Sequence, residues 1–212
     1  MRQGAIGVVV LALLASPVLA DEDGIRVELT PFIGYRWGGE FNDFSDPAVH
    51  ALSIDDARSY GLVLGFLTGD DTELYVLWSR QEADLRGVGP AFPGGSQVLS
   101  DVDIDSYQFG GLYLPGPPES RMRPFIGFSV GANHLSPPGG LDGRTDLSFS
   151  FLGGAKIYPG KCCGVRLQAG WTSTLVSSDS TIFCSSPGIC YVTVEGDTVD
   201  QIEVLAGFIV RF

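Results

Sequence analysis

The pair of residues best suited to chemistry in this sequence is His134 and Ser136, which lie two positions apart. Residues at this spacing share one face of a β-strand, where a histidine base could remove the proton from a serine hydroxyl. Efficient catalysis also needs a carboxylate that orients the imidazole ring. The corresponding segment of the next predicted strand, Leu147-Ser148-Phe149, holds no acidic residue. We therefore expect no catalytic residues in this chain, and His50 is interpreted as a plain loop residue.

Alternation of apolar and polar residues predicts an all-β fold, an eight-stranded antiparallel transmembrane up-and-down β-barrel. Short and long connections alternate strictly along the chain, as expected when one barrel rim has tight turns and the other carries loops. The predicted strands are Ile25–Gly39, Arg58–Thr68, Thr72–Gln81, Val102–Leu114, Pro124–His134, Asp146–Tyr158, Gly164–Val176 and Val199–Phe212.

The two faces of these strands differ in a way that favours lipid outside the barrel. One parity carries large apolar and aromatic residues, and the other carries small or charged ones, whereas a soluble carrier would place its large apolar side chains in the lumen. The last strand keeps this pattern to its end, as a closing strand must if it pairs with the first strand and faces lipid. Its apolar face comprises Ile202, Val204, Ala206, Phe208, Val210 and Phe212.

Charged residues occur on the inward parity. Because closure makes the first and last strands neighbours, their side chains are expected to project into one narrow interior. We interpret them as a paired charge network that fills the lumen, and an ion path or gate is the alternative. The predicted network comprises Glu28, Arg36, Lys156, Arg166 and Glu203.

Four cysteines allow three full pairings. The predicted connections place Cys162 and Cys163 in a short turn, a membrane thickness away from Cys184 and Cys190 in the last loop. A disulfide spans only ~5.5 Å between Cα atoms, so Cys184–Cys190 is the predicted bridge. Cys162 and Cys163 are left as either an adjacent-residue disulfide or two thiols. The same separation argues against a zinc site, and we expect neither metal nor cofactor.

Residues 1–20 have the features of a cleaved signal peptide, with Arg2 near the start, an apolar run, and small residues at Val18 and Ala20. Cleavage leaves residues 21–212 as one barrel domain. Without Arg2 the 13 basic residues become 12 against 25 acidic ones, a net charge of −13. Such a charge argues against a nucleic-acid partner.

The first predicted strand, with Pro31-Phe32-Ile33-Gly34-Tyr35-Arg36, resembles the opening strand of the small OmpA/OmpX-like family of outer-membrane β-barrels. Further matching segments are Pro124-Phe125-Ile126-Gly127, Gly153-Gly154-Ala155-Lys156 and Ala206-Gly207-Phe208. The resemblance implies a monomer in the outer membrane of a diderm bacterium, inserted by the assembly machinery, with both termini in the periplasm. It also implies a C-terminal assembly signal formed by Phe208, Val210 and Phe212. It transfers no activity, because barrels of this kind serve as anchors, adhesins and enzymes.

The spacing of His134 and Ser136 is similar to that in lipid A deacylases, which carry a His-x-Ser pair in an outer-membrane barrel. Pro137 stands where the pattern expects Asn, and the orienting acid is missing. A lipid-modifying enzyme is therefore the least favoured of three hypotheses. The first is a structural or surface-interaction protein in contact with outer-membrane lipid and lipopolysaccharide, whose loops could hold an extracellular ligand. The second is a narrow channel or conduit for small apolar molecules.

Overall fold

The computed structural model describes residues 26–41, 51–88, 96–136, 143–176, 180–185, 189–194 and 198–212, so the predicted signal peptide lies outside the described residues. Among the residues described, no helix has the length and hydropathy of a membrane span. The strands in chain order are β1 (Arg26–Gly38), β2 (Glu40–Phe41), β3 (Ala51–Ile54), β4 (Ala57–Leu67), β5 (Thr72–Val88), β6 (Ser96–Tyr113), β7 (Met122–Ser136), β8 (Arg144–Ile157), β9 (Cys163–Leu175), β10 (Ser180–Ser185), β11 (Ile189–Val194) and β12 (Thr198–Arg211).

Eight of these strands close into an antiparallel barrel, which confirms the predicted fold. Each pairs with the next, in the cyclic order β1, β4, β5, β6, β7, β8, β9 and β12, and β12 pairs back onto β1. The start of β1, the end of β12 and the short turns lie at one rim, and the strand ends joined by the long connections lie at the other. We call these the terminal rim and the loop rim.

Three of the predicted long loops contain strands. Two of them, Glu82–Asp101 and Ser177–Thr198, hold the extended ends of β5 and β6 and the separate hairpin β10–β11. The third, Gly39–Ala57, holds β2 and β3, which extend the sheet beside β5. Acidic residues gave these segments a loop-like composition, but apolar residues alternate with them along β5 and β6.

The exterior of the barrel is an apolar belt, as the strand parity predicts. On β7, for example, Ile126, Phe128 and Val130 are exposed, whereas Ser129 between them is buried. At ~3.4 Å per residue and a tilt of ~40°, the apolar outward positions from Met122 to Ala132 rise ~25 Å, the height of the lipid-facing band of outer-membrane barrels.

Two glycines show why this residue is frequent in the chain. Gly38 ends β1 with a φ of 83°, a left-handed backbone conformation that other residues rarely adopt. Gly61 faces the lumen, where an added Cβ would lie 2.8 Å from the Phe32 ring and 2.1 Å from the Trp78 carbonyl oxygen. The absence of a side chain at Gly61 thus makes room for an aromatic ring inside the barrel.

Candidate functional site: the barrel lumen

The lumen near the terminal rim is filled by an ionic layer centred on Glu28. Lys156 donates from Nζ to Glu28 Oε2 at 2.6 Å and also pairs with Glu73. Glu28 Oε1 accepts from Arg211 Nη2 at 2.7 Å and from the Tyr158 hydroxyl at 2.8 Å. Lys156, Glu28 and Glu73 have side chains no more than 1% exposed. Each of these three buried charges therefore has an oppositely charged partner, which buried ions require.

Arg166 joins this layer to the aromatic residues above it. Its guanidinium lies 3.9 Å from Glu73 Oε1 and donates to Gln168 Oε1 at 2.6 Å. The same group stands over the Phe125 ring, 4.8 Å from the centroid, in a cation–π contact. The fully buried Arg166 is thus held by both an ionic and an aromatic partner.

An apolar layer lies across the middle of the lumen. It is built from inward-facing residues of most barrel strands and separates the ionic layer from the polar residues nearer the loop rim. Its buried members are Phe32, Val63, Tyr75, Leu77, Leu112, Leu114, Phe125, Leu152 and Leu205.

A second charged pair, Arg36 and Glu203, organises the polar layer above. Arg36 Nη2 lies 3.0 Å from Glu203 Oε1 and donates to Ser79 Oγ at 3.1 Å. Ser59 Oγ donates to the same carboxylate oxygen at 2.6 Å. The cavity beside this pair has a volume of about 20 Å³. That is about the room needed by one water molecule, so the cavity does not hold a continuous water column.

The polarity of the wall reverses near the loop rim. There the inward residues are apolar and form a buried cluster that we call the outer plug: Ile54, Ala83, Leu85, Val102, Ile104, Val176 and Val199. The outward residues of the same stretch of β5 and β6 are charged, and Arg80 pairs with Asp103 and Asp105. The charged outer face of this stretch indicates contact with water, whereas the apolar belt below it indicates contact with lipid.

Asp55, beyond β3, ties the extended sheet together at this rim. Its carboxylate accepts from Arg86 Nε at 3.0 Å and from Arg86 Nη2 at 2.7 Å. These hydrogen bonds hold the pKa of the Asp55 carboxyl below its ordinary value of 3.8. The charged pair lies outside the apolar belt.

The predicted charge network is therefore two networks. In the antiparallel register of β1 and β12, Glu28 faces Arg211, and Arg36 faces Glu203, eight residues further along. Glu28, Lys156 and Arg166 lie in the ionic layer, on the far side of the apolar layer from Arg36 and Glu203. The predicted network did not include Glu73, Tyr158 and Arg211, although all three have the inward parity that marked the others.

His134 lies on the outer face of β7, and among the residues that the structure describes no catalytic triad surrounds it. Its Nδ1 is 2.8 Å from Thr145 Oγ1 on β8, where an orienting acid would be needed. Asp105 faces His134 from β6, but this carboxylate lies 3.8 Å from Arg80 Nη1. Asp146, next to Thr145, is buried, and its carboxylate forms an ion pair with Arg144 Nε at 2.6 Å.

Three of the four cysteines lie in strands, at positions where the sequence predicted connections. Cys162, in the turn before β9, and Cys163, the first residue of β9, are free thiols with their Sγ atoms 3.0 Å apart. Cys184 and Cys190 face each other in the β10–β11 register. Facing residues of an antiparallel pair have Cα atoms ~4.5–5.5 Å apart, within the reach of a disulfide, and the bridge stays a prediction. Among the described residues no three His, Cys, Asp or Glu side chains are grouped as metal ligands would be.

The predicted assembly signal lies on the outside of the closing strand. Phe208 and Phe212 are more than half exposed, and Val210 is partly exposed on the same face. The Phe212 backbone N–H donates to the Val27 carbonyl at 2.9 Å, so hydrogen bonding to β1 continues to the last residue.

No protein-family model matches the chain, and no curated protein matches it in sequence. Solved structures do share its fold. The outer membrane protein OprG from Pseudomonas aeruginosa aligns with a TM-score of 0.59 at 12% identity, over 89% of this chain and 96% of OprG. Neisserial surface protein A aligns with a TM-score of 0.53 at 16% identity, over 89% of this chain and 97% of its own. The expected resemblance to small outer-membrane barrels is thus confirmed for the fold.

Proposed function

We propose that this chain is a non-enzymatic integral protein of the outer membrane of a Gram-negative bacterium, with a structural or surface-interaction role. The apolar belt supports the location, since its height matches a lipid bilayer and its loop-side edge is marked by charged residues. The fold shared with OprG and Neisserial surface protein A supports the same membrane. We propose further that the terminal rim faces the periplasm, as in the predicted orientation.

The observation that carries this proposal is the filled lumen. Between the two rims, the described residues form an ionic layer, an apolar layer, a polar layer and the outer plug, and the cavity beside the Arg36–Glu203 pair has a volume of about 20 Å³. A conducting pore would need a continuous hydrated path. The packing favours a barrel that works through its outer surfaces.

The surface available for interaction is the strand extension beyond the belt. The β5–β6 hairpin carries exposed Glu82, Asp84 and Asp101, and the bidentate Asp55–Arg86 pair braces it. Outer-membrane lipid, lipopolysaccharide and an extracellular ligand are the partners we propose for this region, with the assembly machinery acting during insertion. The barrel is proposed to act as a monomer.

Single-channel recording in planar bilayers tests the proposal. Refolded protein, verified as a heat-modifiable band on a gel, should produce no stable conductance steps, whereas a known porin in the same bilayers should. Stable steps from the folded protein would replace this proposal with the alternative of a channel or conduit for small molecules.

A further inference from the structure

The outer wall of the barrel carries an open groove of about 890 Å³ across β4, β1, β12 and β9. Its floor is low because Ala206 and Ala169 are small. In the strand register, Ile33 and Leu167 flank Ala206 from the neighbouring strands, and Tyr35 stands across β12 from Ala169. Larger side chains therefore surround these low points in a shallow groove that runs across the four strands, within the apolar belt.

Arg58 stands at the loop-side end of this groove. It faces Tyr35 in the β1–β4 register, lines the groove and is exposed. Other arginines near the loop rim have carboxylate partners: Arg80 has Asp103, and Arg86 has Asp55. In the described part of the chain, no carboxylate lies within ion-pair distance of Arg58. The groove thus combines an apolar trough with a guanidinium that has no carboxylate partner among the described residues, at the level where lipid headgroups begin.

We propose that this groove binds one acyl chain of a phosphorylated lipid of the outer leaflet whose headgroup has a net negative charge, with Arg58 holding the lipid phosphate. The volume falls within the ~300–1,000 Å³ typical of small-molecule sites. Apolar walls alone select nothing here, because lipid tails surround the whole belt and are equally apolar. Selection must come from the shape of the trough and from the charge at its end. A guanidinium binds phosphate through paired, charge-assisted hydrogen bonds.

This inference rests on the proposed membrane location, and tryptophan fluorescence tests it separately. Of the three tryptophans, Trp37 and Trp171 flank Ile202 on β12, next to the groove. A Trp78→Phe background leaves only these two. The full mature protein is refolded into phosphatidylcholine vesicles that contain either brominated-chain phosphatidic acid or brominated-chain phosphatidylcholine. Bromine quenches a tryptophan only when the brominated chain touches it.

We expect phosphatidic acid to be favoured over phosphatidylcholine about fivefold, the equivalent of ~1 kcal/mol for one arginine near an anionic lipid surface. Arg58→Gln should abolish this preference. The matched control is Arg26→Gln, which changes an exposed arginine at the start of β1, near the terminal rim, and should retain the preference. Ala206→Phe fills the trough and should reduce quenching by both lipids. It also provides a second readout if Arg58→Gln does not fold.

Three results would overturn the inference: equal quenching by the two lipids, a preference that survives Arg58→Gln, or unchanged quenching in Ala206→Phe. Quenching by neither lipid, together with cross-linked dimers, would assign the groove to a second copy of the chain and would also overturn it. Failure of the protein to insert into any vesicle would instead contradict the proposed membrane location.

Discussion

Glu28 is the residue on which the ionic layer depends most. Its two carboxylate oxygens accept hydrogen bonds from Lys156, Arg211 and Tyr158. The register of β1 with β12 places Arg211 directly opposite Glu28. Removing one partner of a buried ion pair costs more than removing both, because the remaining charge is left without compensation in a medium of low dielectric constant.

Glu28→Gln is therefore expected to lower the free energy of unfolding by about 3–5 kcal/mol. Urea unfolding of the refolded protein in lipid vesicles measures this loss. Glu119→Gln, a change of an exposed carboxylate in a turn, is the matched control and should stay close to the parent protein. Equal stability of the two variants would contradict the buried ionic layer.

Phe151 tests the outward face. It is about half exposed, and its ring lies 5.0 Å from the Phe128 ring and 6.1 Å from the Trp171 ring, measured between centroids. Phe151→Arg should destabilise the folded barrel by about 2–4 kcal/mol, the cost of arginine at the bilayer midplane. Phe151→Leu is the apolar control and should lose much less in the same unfolding assay. If both variants unfolded alike, Phe151 would not face lipid.

At the scale of elements, two barrel strands extend beyond the apolar belt. β5 and β6 continue past the belt because alternation is preserved while its polarity inverts: Ala83 and Val102 turn inward, and Glu82 and Asp101 turn outward. The β10–β11 hairpin is an independent two-stranded sheet. A single hairpin in water is marginally stable without further support.

The Cys184–Cys190 bridge would supply that support. On the chain-entropy model, closing so short a loop contributes at most about 2–3 kcal/mol, and it acts on the hairpin and not on the barrel. Replacing both cysteines with serine should leave the heat-modifiable band intact and make the segment 177–198 more sensitive to added protease. Failure of the double variant to fold would mean that the hairpin is needed to complete the barrel.

At the scale of the whole molecule, closure connects the two ends of the chain. β1 pairs with β12 along nearly its whole length, and the Phe212 backbone N–H donates to Val27. The last residue therefore completes the seam, and its exposed ring lies on the outer face at the terminal rim.

Deletion of Phe212 should cause the protein to accumulate in the periplasm, because the exposed aromatic terminus is the proposed signal for the assembly machinery. Cell fractionation and surface proteolysis measure the distribution. Phe212→Tyr keeps the aromatic ring and should reach the surface normally. Normal surface levels of the deletion variant would contradict the assembly role of this residue.

The sequence by itself determined the barrel, its closure and the two faces of its wall. These follow from a period of two, which is visible along each strand without knowledge of its neighbours, as the last strand from Ile202 to Phe212 illustrates. The inward orientation of Glu28, Arg36 and Glu203 could likewise be predicted from the alternation within their own strands.

Only the tertiary structure decided which inward residues meet. Pairing Arg36 with Glu203, and Glu28 with Arg211, depends on strand register, which no single strand encodes. The inversion that forms the outer plug depends on where the apolar belt ends around the closed sheet, and the groove beside Arg58 depends on four strands lying side by side. These features depend on relations between strands that are distant in the sequence.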